Sequence, residues 1–102
     1  MKKRLEPKER KAQILAAAVT LAKRDGYKCV TRDAVADHVG ISMGLVSRYF
    51  GTMPQLRRDI MRFAVREEIP EIVAQGLVAR DPHAQKAPDD LRARAVKYIA
   101  GL

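Results

Sequence analysis

The sequence predicts an all-α chain: three helices that include a helix-turn-helix, a long fourth helix, and one or two short C-terminal helices. Three observations carry this. Apolar residues recur at spacings of three and four rather than two. Helix caps and glycine or proline stops punctuate the chain at helix-length intervals. Strand signals are weak throughout and no internal repeat appears.

The elements follow in order. Residues 1–6 form a short basic arm. Pro7 suits a first helical turn, where its missing N–H would lack a partner in any case. From Lys8 to Asp25, the residues Ile14, Leu15, Ala18, Leu21 and Ala22 make one apolar stripe, and Gly26 supplies the stop. Tyr27 to Val30 is a connector. Thr31 caps a second helix, Arg32 to Val39, with Asp33 in its first turn. Gly40-Ile41 breaks it, Ser42 caps a third helix from Met43 to Phe50, and Gly51 ends that one. Thr52 and Gln55 form a capping-box signature for a fourth helix, from about Met53 to about Ile69. Pro70 marks a break, Ile72 to Ala79 is apolar, and Arg80 to Ala87 reads as a loop. The last helix is expected from Pro88 to Ala100, with Asp89 and Asp90 in its first turn.

Composition narrows the function classes. With 102 residues, the chain supports one modest core. Hydrophobic residues make up 47% of it, enough to fold, and with aromatics at 5% that core must be aliphatic. One cysteine excludes an internal disulfide framework and a multi-cysteine zinc site, and fits a reducing cytoplasm. No apolar run reaches the roughly 20 residues that span a bilayer, and no signal-peptide pattern is apparent. The net charge is +8, which points to a polyanion. Residues 1–51 carry 11 basic and 5 acidic side chains, against 9 and 7 in residues 52–102. The anionic partner is therefore expected on the N-terminal half, and self-association on the C-terminal half.

Two short helices around a glycine-containing turn form a helix-turn-helix, whose second helix enters the major groove. Helical geometry assigns its faces. With Val46 facing the core, Phe50 lies about 40° away, while Gly44 and Arg48 lie at about 160° and 200°. The outer face is then Gly44, Leu45, Ser47 and Arg48. A small residue permits close approach to a groove, an arginine can bond guanine O6 and N7, and a leucine can contact a thymine methyl.

The stretch Thr31-Arg32-Asp33-Ala34-Val35-Ala36-Asp37-His38-Val39-Gly40-Ile41-Ser42-Met43-Gly44-Leu45-Val46-Ser47-Arg48-Tyr49-Phe50-Gly51-Thr52 resembles the N-terminal DNA-binding domain of the TetR/AcrR family of repressors. The preceding helix, with Ile14, Ala17, Ala18 and then Gly26-Tyr27, is similar too, so the resemblance covers about residues 8–65. It implies a homodimer on a palindromic operator. It also implies phosphate contacts by Thr31, Arg32 and Tyr49, and base contacts at Met43, Gly44, Leu45 and Ser47. Ser42 and Thr52, which cap the third and fourth helices, join the same DNA-binding set with Arg48.

Three departures from the family pattern matter. Ser47 stands where the family usually has an aromatic residue, and Met53 where it usually has lysine. Arg48 or the arm Lys2-Lys3-Arg4 is the expected replacement. Family members are also typically much longer, and their C-terminal part holds the ligand pocket and dimer interface. Only 33 residues follow Ile69 here, too few to enclose a pocket of about 300 Å³ or more. No small-molecule inducer of the usual kind is expected, and repression is expected to be constitutive.

The remaining residues receive plainer readings. Cys29 is expected as a small core residue. His38 and His83 lack ligand partners at metal spacing, so no metal or cofactor is expected. The charged residues of the fourth helix read mainly as a solvated face, from which Arg57 or Arg58 could reach a phosphate. Leu91, Ala95, Tyr98, Ile99 and Leu102 form a stripe that either closes the monomer or meets a second copy. A dimer interface built from the fourth helix and the C-terminal helices is the favoured expectation. The chain thus divides into a DNA-binding region, residues 1–51, and a helical dimerisation region, residues 52–102. No enzymatic constellation is apparent. The expected function is a cytoplasmic, nucleoid-associated, homodimeric repressor of double-stranded DNA targets. A partition, excision or architectural DNA-binding factor is the alternative, and a basic membrane or acidic-partner binder the more distant one.

Overall fold

A computed structural model describes residues 6–100. Among them the structure is all-helical. The order is α1 (Pro7–Asp25), a 3₁₀ turn (Tyr27–Cys29), α2 (Arg32–Val39), α3 (Met43–Phe50), α4 (Met53–Arg66), α5 (Pro70–Val78), α6 (Pro82–Gln85) and α7 (Asp89–Ile99). The arm Lys2-Lys3-Arg4 and the candidate interface residue Leu102 lie outside the described residues.

The first half follows the sequence pattern closely. The hydroxyls of Thr31 and Ser42 accept the Ala34 and Leu45 amides, at 3.1 and 3.2 Å, so both expected caps are made. The α4 capping box is reciprocal. Gln55 N–H donates to Thr52 Oγ1 at 3.3 Å, and Thr52 N–H donates to Gln55 Oε1 at 2.7 Å. One aliphatic cluster runs through the molecule. Ile14 and Ala18 of α1, Val35 of α2, Val46 of α3, Ile60 of α4, Ile72 of α5 and Leu91 of α7 are all shut off from solvent.

The second half departs from expectation in three places. The fourth helix ends at Arg66, not Ile69. Glu68 takes φ 54°, its N–H reaches the Val65 carbonyl at 3.3 Å, and the Ile69 N–H reaches Ala64 at 2.8 Å. That pair of bonds is a Schellman closure. Pro70 then favours extended backbone at Ile69 and opens α5 rather than merely breaking a helix. The expected loop from Arg80 to Ala87 contains α6, because Asp81 caps it through the His83 and Ala84 amides. Three helices therefore follow α4 where one or two were expected.

Leu91 and Ala95 are fully buried within the chain, because α7 packs along α5 more extensively than any other helix pair. They close the monomer and are not available as surface for a second copy. Tyr98 is 46% exposed and Ile99 only half-buried. Cys29 is exposed rather than core. The tight 3₁₀ turn points Tyr27 and then Val30 inward and leaves Lys28 and Cys29 outside.

Candidate nucleic-acid interface

The candidate interface is built on α2 and α3. Gly40 occupies the left-handed region at φ 83°, ψ 37°, and the Gly40 and Ile41 amides both bond the Ala36 carbonyl. This closes α2 and redirects the chain into α3. Val46 and Phe50 are buried, as the helical geometry requires, and they seat α3 against the body.

The opposite face of α3 reaches solvent. Met43, Gly44 and Arg48 are exposed, while Leu45, Ser47 and Tyr49 are half-buried. A Cβ added at Gly44 would find only Ser42 Oγ, at 3.8 Å. Its glycine is therefore not demanded by the fold, and it leaves the helix surface low at the middle of the exposed face. Ser42, Thr31, Arg32 and Thr52 are also exposed, at the starts of α3, α2 and α4.

One contact was not visible in the sequence. Arg32 Nη1 donates to Ser47 Oγ at 2.8 Å, across 15 residues. The guanidinium from the start of α2 thus lies against the exposed side of α3. Ser47, where an aromatic residue was expected by resemblance, is short enough to receive it. Only the three-dimensional crossing of α2 and α3 brings these residues together.

A second surface adjoins this one. A solvent-open cleft of about 330 Å³ is lined by the Tyr27–Lys28 connector, by Pro54, Arg57 and Arg58 of α4, and by Asp81, Pro82 and His83. Tyr27 O–H donates to Asp81 Oδ2 at 3.2 Å. Burial, then the neighbouring Asp81 charge and this hydrogen bond, push the Tyr27 phenol up to about 12, with Arg57 opposing. Gln75 of α5 accepts Tyr27 N–H at 2.7 Å and donates to the Ala22 carbonyl at 3.0 Å. A further open cleft, about 390 Å³, lies between α1 and α4, where Lys11 sits over the Phe50 ring and Arg66 over Phe63.

Among the described residues, no helix is long and apolar enough to cross a membrane, and no group of histidine, cysteine or carboxylate side chains could hold a metal ion. Residues 14–60 match the family described as bacterial regulatory proteins, tetR family. No curated protein and no solved structure matches the chain.

Proposed function

We propose that the chain, which matches the tetR family of bacterial regulatory proteins over residues 14–60, is a DNA-binding transcriptional regulator with an N-terminal helix-turn-helix. From that premise we propose that it is a repressor that binds a palindromic operator as a homodimer in the cytoplasm, at the nucleoid. The observation that carries this is the two-faced α3. Val46 and Phe50 anchor it, while Met43, Gly44, Leu45, Ser47 and Arg48 are presented outward or at the rim. Arg48 reads a guanine, and Met43 and Leu45 offer apolar contact to thymine methyls. Thr31, Arg32, Tyr49 and Thr52 hold phosphates along the rim, and Arg32 reaches the groove side through Ser47.

The second copy docks on the exposed edge of α7 around Tyr98 and Ile99, since Leu91 and Ala95 are spent inside. In this reading repression is set by protein concentration, with Ile72, Val73, Leu91 and Ala95 packed into the chain's own core. A metabolite that released the purified protein from DNA would overturn that part.

Selection of bound genomic fragments, followed by footprinting, tests the whole reading. The expected site is a palindrome overlapping a promoter. With that site in hand, Arg48→Ala should weaken binding by about 1–3 kcal/mol and relax preference at one base pair per half-site. An equal loss across all operator variants would reassign Arg48 to a phosphate.

A further inference from the structure

We propose that the cleft between the connector, α4 and α6 is a phosphate site. Side chains able to bond an anion line it from three separate elements: Lys28 from the connector, Arg57 and Arg58 from α4, and His83 from α6. The carboxylate in the lining, Asp81, is already committed. Its Oδ1 accepts the His83 and Ala84 amides at 2.9 and 3.4 Å, and its Oδ2 accepts the Tyr27 hydroxyl. Its Oδ1 also lies 3.7 Å from His83 Nδ1. Lys28, Arg57 and Arg58 form no ion pair among the described residues.

Arg57 lines the cleft and is only partly exposed. Its Nε is closed off from water and finds no acceptor among the described residues. An anion in the cleft would therefore be met by the outer guanidinium nitrogens of Arg57, which bond phosphate oxygens well. Two guanidinium groups and an ammonium fit the several equivalent oxygens of a phosphate better than a lone carboxylate.

The site's position narrows the source to two. Lys28 precedes Thr31 by three residues, and Pro54 follows Thr52 by two, so the cleft continues the rim where operator phosphates are proposed to lie. An operator phosphate beyond the α2–α4 contacts is one source, and it rests on the DNA-binding reading. A free phosphorylated small molecule is the other.

The experiment uses the full chain, with Lys28→Ala/Arg58→Ala as the exposed double variant and Arg57→Lys as the conservative one. A random-sequence duplex is titrated across salt concentrations. Inorganic phosphate and adenosine 5′-monophosphate are titrated separately, with the Tyr27 and His83 amide resonances as readout and chloride at matched ionic strength as control. If the operator backbone is the source, the double variant lowers the salt slope by about two units. If a free phosphate compound is the source, the resonances shift saturably in the wild type and not in the double variant, while the slope stays unchanged. In that case Arg57→Lys weakens the response without abolishing it. An unchanged slope together with no response beyond chloride overturns the proposal. A wild-type chain that fails to bind duplex defeats the DNA reading instead, and the phosphate titration still decides the cleft.

Discussion

Gly40 and Gly51 end α2 and α3 at positive φ, whereas Glu68 and Arg80 hold the positive-φ turns that follow α4 and α5. The two regions meet the same geometric demand with different residues. At Gly51 the need is steric as well as conformational, because a Cβ there would stand 2.0 Å from Gln55 Oε1, the oxygen that completes the α4 cap. At Glu68 and Arg80 the chain accepts a backbone conformation that costs an L-residue roughly 1–2 kcal/mol. Arg80 N–H reaches Leu77 and Asp81 N–H reaches Gly76, and these bonds offset part of that cost. Glu68 also receives Arg94 of α7 at 3.0 Å. The N-terminal half is thus built from low-strain local signals, and the C-terminal half is held by tertiary packing that overrides them.

That contrast can be broken most forcefully at Leu91. Leu91→Ala should cost about 2–5 kcal/mol in urea unfolding, with α1–α3 melting in the same transition. Separate melting of α7 alone would show that the two regions do not share one cooperative core. Next in size are the paired helix stops. Gly51→Ala should lose about 1–2 kcal/mol through positive φ and the disturbed cap. Arg80→Gly should gain about 0.5–1 kcal/mol, since only glycine takes that conformation freely. Thermal melts of both variants suffice, and a loss from Arg80→Gly would mean that the arginine side chain outweighs the backbone strain.

The last test is one of pH. The Tyr27 phenol is raised in the folded chain from about 10 to about 12, so the unfolded chain gives up this proton first. Its contribution is complete below pH 10 and is lost as pH rises toward 12. Tyr27→Phe should show a shallower loss of stability over that interval than the wild type.

The same contrast explains what was legible beforehand. Helix starts at Thr31, Ser42 and Thr52 were readable because each rests on a side chain three residues from its partner. The buried face of α3 was readable because Val46 and Phe50 repeat at helical spacing. The end of α4 was not, because nothing local marks Glu68 as left-handed. The Arg32–Ser47 contact and the Tyr27–Asp81 bond span 15 and 54 residues and depend on how helices cross. The stripe on α7 was seen, but periodicity cannot say whether a stripe faces its own core or a neighbour. For Leu91 and Ala95 packing against α5 settled it.

Gln75 sets a limit on dissection. Its one amide group completes the turn at the end of α1 from a position 48 residues beyond Tyr27. A fragment cut after α4 would keep every proposed base-reading residue. It would nonetheless leave the connector ahead of Thr31 without its staple, and α1 free to fray where α2 must be aimed. The smallest piece that keeps the proposed DNA-binding residues and the smallest piece that can hold their aim are therefore different lengths of chain, and anyone transplanting this helix-turn-helix onto another protein must carry α5 with it.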